Sequence, residues 1–206
     1  SVIWIVGVMN AINLIDGLDS LAGGIALIAM VGVAIQAWLT KDLVFFTLAL
    51  TLICAIAGFL IYNFYPAKVF MGDGGALFLG YTLAVIPLLQ IKSTIGTWSI
   101  APIFLLGVPI VDTLFSMLRR FVRGISLFSA DRNHIHHKLI AKGLSHRQAV
   151  RRLHFVSLLY VVVFILSLQE LIPLKLGLIF FVGISWLLVF YAGYEELVNP
   201  INIIKN

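Results

Sequence analysis

Residues 10–39 read Asn10-Ala-Ile-Asn13-Leu-Ile-Asp16-Gly17-Leu-Asp19-Ser20-Leu-Ala-Gly-Gly24-Ile-Ala-Leu-Ile-Ala-Met-Val-Gly-Val-Ala-Ile-Gln-Ala-Trp-Leu39. The part from Leu21 onward carries no charge and has the length of one transmembrane helix, which needs about 20 apolar residues. The rest of the chain repeats this pattern. Of 206 residues, 61% are hydrophobic and 11% charged, against about 45–50% and 25% in soluble domains. A mean hydropathy of +1.08 excludes an ordinary soluble domain and a disordered chain. Barrel strands would alternate over about ten residues, and these blocks do not. The expected fold is all-α: a polytopic transmembrane bundle in one membrane-embedded domain, residues 1–206. The segments are 1–13, 20–39, 43–62, 75–91, 97–118, 153–169 and 174–193, about six full spans and a truncated first one. The chain starts at Ser1 inside an apolar run with no signal-peptide pattern, as expected of the C-terminal part of a longer membrane protein. Cys54 lies in an apolar run and is expected to be a small core residue.

Orientation follows from the basic residues. Nine of the fourteen (Arg119, Arg120, Arg123, Arg132, Lys138, Lys142, Arg147, Arg151 and Arg152) fall in the single connection 119–152. Such an excess marks the cytoplasmic side. The net charge of +5 is thus a topology signal, with attraction to membrane lipids, and no nucleic-acid partner is expected. Alternation then puts the break at 14–20 and the loop 63–74 on the same inner side. The polar chemistry converges there: Asn10, Asn13, Asp16, Asp19, Asp73, Asp131 and the histidines 134, 136 and 137. The outer loops offer only Asp42 and Glu170 as carboxylates.

In residues 10–19 polar groups recur every third position, a spacing that would drift about 60° per step on a continuous helix. Gly17 offers a break, with one helix ending near Asp16 and another starting near Asp19 or Ser20. Broken backbone at membrane depth is tolerated only where it lines a cavity or is buried in protein. Asn and Asp oxygens suit a hard cation such as Mg²⁺, although Asp19 could simply cap the next helix. The second motif, residues 63–75, holds Asp73 between glycines ahead of an apolar helix, a good cap whose second oxygen remains available to a metal. The third, residues 131–138, carries three histidines flanked by Asp131, Arg132 and Lys138. Zinc ligands and a polyphosphate cradle are both open readings. His146 and His154 read as solvated or interfacial. Asp112, inside a span, is either functional or an ion-pair partner of Arg119 or Arg120.

Four stretches, NAINLIDGLDSLAGG, NFYPAKVFMGDGG, GVPIVDT and DRNHIHHKLIAKGLSHRQAV, resemble the polyprenyl-phosphate N-acetylhexosamine-1-phosphate transferases of glycosyltransferase family 4. The likeness runs along essentially the whole chain and is greatest to the branch that makes lipid-linked GlcNAc. One departure is Ser20, where Gly is common in the family. An early cytoplasmic aspartate pair typical of the family would lie before Ser1.

The resemblance implies a Mg²⁺-dependent phosphoglycosyltransferase, with Mn²⁺ as an alternative ion. It would move N-acetylhexosamine 1-phosphate, GlcNAc-1-phosphate in this branch, from a UDP-sugar to undecaprenyl phosphate, releasing UMP and starting a lipid-linked envelope polysaccharide. It implies metal ligands at Asn13 and Asp73, with Asp16, Asp19, Asp73 and His134 in catalysis. Asn63 and Phe70 would bind the nucleotide, and Asp131, Arg132, His136 and His137 the pyrophosphate and sugar. It also implies a multi-pass protein of the bacterial plasma membrane with its site on the cytoplasmic face, and a homodimer. The residues present are expected to be inactive alone. A divalent-metal or proton-coupled transporter is the main alternative. A CDP-alcohol phosphatidyltransferase would need an Ala-Arg pair and later spaced aspartates, which are lacking, and a non-catalytic scaffold would not need the inward clustering.

Overall fold

The computed structural model describes residues 2–93, 101–124, 126 and 134–193. They are helical: α1 (Val2–Ile15), α2 (Leu21–Leu39), α3 (Leu43–Asn63), α4 (Gly72–Ser93), α5 (Ala101–Leu105), α6 (Gly107–Val122), α7 (Ile135–Ala141), α8 (His146–Leu168) and α9 (Leu174–Gly193). Among the described residues there is no strand. The chain is therefore a polytopic helix bundle. Five helices, α2, α3, α4, α8 and α9, are long and apolar enough to cross a membrane, and α1 is apolar but shorter.

The expected fourth full span, 97–118, is not a single helix over its described residues. It breaks at Leu106 into α5 and the sixteen-residue α6. α6 turns Val108, Val111, Asp112, Phe115, Ser116 and Arg119 inward and leaves Leu114, Leu118 and Phe121 exposed. That is the 3.6-residue period of a helix with one buried face. α8 also begins earlier than the expected 153, at His146. Ser145 accepts a bond from Gln148 N while the Gln148 side chain accepts one from Ser145 N, a reciprocal cap that starts the helix in the polar stretch. Arg147, Arg151 and Arg152 thus ride on the first turns of a long helix and not in a loop.

α2 is the central helix, with 72% of its apolar window buried, against 17% for α3 and 22% for α9. α3 turns leucine, isoleucine and tyrosine outward, and α9 leucine, phenylalanine and tryptophan, as lipid-facing helices do. Cys54 shares that exposure: it is on the outer face of α3 and is not a core residue. Periodicity could not show this, because α3 is apolar all round. The interior divides into two clusters. One holds α1 to α5 and α8 together around Ile12, Met30, Leu83 and Phe104. The other lies by the α1–α2 break and gathers Ile15, Leu18, Leu21, Val111, Leu153 and Leu188 around Ile135 and Leu139 of α7. The short helix α7 is thereby docked onto the bundle by two leucine-sized side chains at 1% exposure each.

Candidate functional site

α1 ends at Ile15 and α2 begins at Leu21, so the chain breaks where the Asp-Gly pattern placed the break. Ser20 adopts φ 63°, in the left-handed region. Glycine takes this conformation freely, and for other L residues it costs about 1–2 kcal/mol. This accounts for the glycine common at the position in the resembling family. Tertiary contacts hold Ser20 there. Its N–H donates to Asn63 Oδ1 at 2.9 Å, and its carbonyl lies 3.1 Å from His154 Nε2, which is also 3.3 Å from Leu21 O. Of the two readings the sequence left open for His154, solvated or interfacial, its half-buried position against α2 excludes the first. A Cβ on Gly24 would lie 2.2 Å from its Nε2, so the glycine makes room for the ring.

The loop after α3 closes over the same break. Asp19 Oδ2 accepts from Ala67 N at 3.0 Å, and Asn63 Nδ2 donates to Val69 O at 2.8 Å. Asn63 is buried, and its amide bonds backbone on both sides of the loop. Phe70 beyond it is 74% exposed. α4 starts at Gly72, three residues before the expected 75, so Asp73 stands in its first turn. There the helix dipole favours a negative charge. Burial, and secondly the nearby Asp73 carboxylate, push Asp16 up to about 6. Asn13 is half-buried in the last turn of α1. Two carboxylates from separate elements therefore lie within electrostatic reach of each other. That is a donor set suited to a hard cation. Among the described residues no three Asp, Glu, His or Cys side chains form a ready-made metal cage. Mg²⁺ usually keeps waters and substrate oxygens beside one or two carboxylates, so the residues fit that ion better than a four-ligand zinc site.

The histidine loop meets the break from the other side. His136 is 1% exposed, and neither ring nitrogen has a partner among the described residues. Its Nε2 points at Gly17, where a Cβ would come within 2.4 Å. Burial chiefly, with help from His137, pushes its imidazole down to about 4. His137 is exposed, its ring 4.1 Å from that of His136. His134 is buried and stacks parallel to His136 at 5.9 Å. Its Nδ1 bonds Asp112 Oδ2 at 3.0 Å, and Asp112 Oδ1 accepts from Ile135 N at 2.8 Å. Asp112 thus serves the histidine loop, a contact that sequence reading did not single out. Asp131 and Arg132 lie outside the described residues.

A cleft of about 350 Å³ flanks Asp19, lined also by Phe64, Tyr65, His146, Arg147, Arg151 and His154. The His146 ring packs 4.6 Å from that of Tyr65, and Arg147 lies over the same ring at 5.4 Å. A larger apolar groove of about 600 Å³ between α8 and α9 carries none of the acidic or histidine groups.

Fold and site together define a polytopic helical membrane protein with a carboxylate and imidazole centre at one end of its bundle. Comparison with known proteins assigns it more closely. The glycosyl transferase family 4 profile matches residues 1–91. A Bacillus subtilis (strain 168) protein named a probable undecaprenyl-phosphate N-acetylglucosaminyl 1-phosphate transferase is 40% identical over 203 residues, 98% of this chain and 55% of that protein. The decaprenyl-phosphate N-acetylglucosaminephosphotransferase of Mycobacterium leprae is 36% identical over 165 residues, covering 70% of this chain and 42% of its own length. The undecaprenyl-phosphate alpha-N-acetylglucosaminyl 1-phosphate transferase of Escherichia coli K12 is 33% identical over 149 residues, covering 68% and 40%. The chain belongs to glycosyl transferase family 4. It spans about half the length of the curated relatives it matches.

Proposed function

We propose that the protein transfers N-acetylglucosamine 1-phosphate from UDP-GlcNAc to undecaprenyl phosphate at the cytoplasmic face of a bacterial plasma membrane. A lipid phosphate oxygen bonds to the β-phosphorus, the bond from that phosphorus to the UMP oxygen breaks, and UMP leaves. The observations that support this reading are the Asp16 carboxylate, raised by burial and by the charge of Asp73, and the buried His136 imidazole packed against the adjoining Gly17 with no partner among the described residues. Both substrates are anions, so the site must offset their repulsion. Asn13 and Asp73 would hold Mg²⁺, with Asp16 and Asp19 arranging its surroundings. When bound, the ion supplies charge neutralisation at the phosphoryl oxygens.

The chain's own residues do the rest. Asn63 and Asp19 fix the loop that carries Phe70, leaving that exposed ring available to a uracil face. His134, His136 and His137, with Asp131 and Arg132, close over the pyrophosphate and sugar. His136 stands neutral at pH 7 and offers an N–H, and an arriving phosphate favours its second proton. The nine basic residues in the connection 119–152 of the sequence support the cytoplasmic placement.

The test follows UMP release and radiolabelled lipid from full-length protein in membranes given UDP-GlcNAc, undecaprenyl phosphate and Mg²⁺. Asp73→Ala is expected to remove nearly all transfer while the protein still inserts. Near wild-type turnover at limiting Mg²⁺ would refute the ligand assignment, and metal uptake by proteoliposomes would favour a transporter. Residues 1–206 expressed alone are expected to release no UMP, since they lack the family's early aspartate pair. Robust lipid-dependent release from them would show those aspartates dispensable.

A further inference from the structure

Asp112 and His134 are 22 residues apart in sequence, on α6 and at the start of α7, yet make a buried bond of 3.0 Å. The other Asp112 oxygen takes the Ile135 N–H at 2.8 Å. His134 is the N-cap residue of α7 and makes no side-chain cap of its own; Asp112 satisfies the helix from across the bundle. An ionised carboxylate only accepts hydrogen bonds, so it keeps the proton of His134 on Nδ1. The other ring nitrogen, Nε2, is buried and has no partner among the described residues. A histidine with a carboxylate behind Nδ1 can take a proton at Nε2 and turn that N–H toward an anion.

We propose that Asp112 is a positioning residue of the transferase site. It fixes the His134 tautomer and the start of α7, and so presents His134 Nε2 and the neighbouring His136 ring to a phosphate of the sugar nucleotide. This rests on the transferase reading above. Asp112→Asn separates the two duties. The amide oxygen still accepts Ile135 N–H, so α7 keeps its start. The amide NH₂ now faces Nδ1, which becomes an acceptor and sends the ring proton to Nε2.

The experiment uses full-length protein labelled with ¹⁵N-histidine in nanodiscs, His134 being assigned by its loss in His134→Gln. Wild type is expected to show protonated Nδ1 and a lone pair on Nε2 at alkaline pH, and Asp112→Asn the reverse. In the same preparations kcat/KM for UDP-GlcNAc should fall at least tenfold in Asp112→Asn. The double variant with His134→Gln should be no worse than His134→Gln alone, because the two groups act as a unit. A purely structural Asp112 would add its loss to that of His134. An Nε2–H tautomer of His134 in wild type overturns the proposal. A further tenfold loss in the double variant, or activity of Asp112→Asn within twofold of wild type, overturns it as well. Absence of UMP release from the wild-type protein would instead defeat the transferase reading, while the spectra still decide the role of Asp112.

Discussion

Gly17→Ala is a one-methyl test of whether the break and the histidine loop act as one site. The backbone at Gly17 is not in the left-handed region, so alanine is accepted as far as φ is concerned. The resistance comes from the His136 ring, whose Nε2, Cε1 and Cδ2 would lie 2.4, 3.2 and 3.4 Å from the new Cβ. Ordinary contact needs about 3.5–4.0 Å, so the ring must retreat by about 1 Å. It has little room: His137 lies 4.1 Å away on one side, His134 stacks on another, and Asp112 holds the start of α7. Overpacking of a closed site costs about 1–3 kcal/mol, and misplacement by about 1 Å can cost a hundredfold in rate. We therefore expect Gly17→Ala to fold, with a midpoint lowered by a few degrees, and to lose about a hundredfold in kcat/KM for UMP release. Combining it with His136→Ala should restore the midpoint but not the activity, because the clash goes while the imidazole is also gone. Gly17→Ala with activity within twofold of wild type and an unchanged midpoint would refute the reasoning, since it would mean that His136 is not against the break.

Two further outcomes follow from the same geometry. Ser20→Gly removes the left-handed cost of about 1–2 kcal/mol and adds about 0.5–1 kcal/mol of chain entropy to lose. A gain of up to about 1.5 kcal/mol in thermal unfolding is expected, and a lowered midpoint would show that the Ser20 side chain contributes something the fold does not reveal. His136 is held neutral by burial, its folded value of about 4 lying below the usual 6.5. Between these values the unfolded chain binds more protons, so its contribution to stability is complete above pH 6.5 and fades as pH falls toward 4. The slope is at most about 1.4 kcal/mol per pH unit. Unfolding midpoints of wild type and His136→Gln measured from pH 7.5 to 4.5 should converge as pH falls, and parallel curves would remove this role.

Much of this molecule is decided locally, and those parts are legible in the sequence. A block of about twenty apolar residues has to cross a membrane as a helix, because lipid offers its backbone no other hydrogen-bond partner. The Asp-Gly-Leu-Asp run ends one helix and starts the next within five residues. Even the start of α8 was present as Ser145-His-Arg-Gln148, a short-range cap that the surrounding basic charge disguised as loop. What only the tertiary structure decided concerns partners distant in the chain. Asn63 meets Ser20 across 43 residues, His154 reaches Ser20 across 134, and Asp112 takes His134 across 22. The apolar face of α3 gave no sign that Cys54 would point outward, whereas the break at Leu106 has a local signal in Gly107 and Pro109 that the continuous apolar run masks. In a chain this apolar, hydrophobicity puts a residue in a membrane helix but no longer tells core from lipid. Which side chains face one another is settled by shape, by small residues such as Gly17 and Gly24 that admit a ring, and by the demand that each buried polar group find a partner.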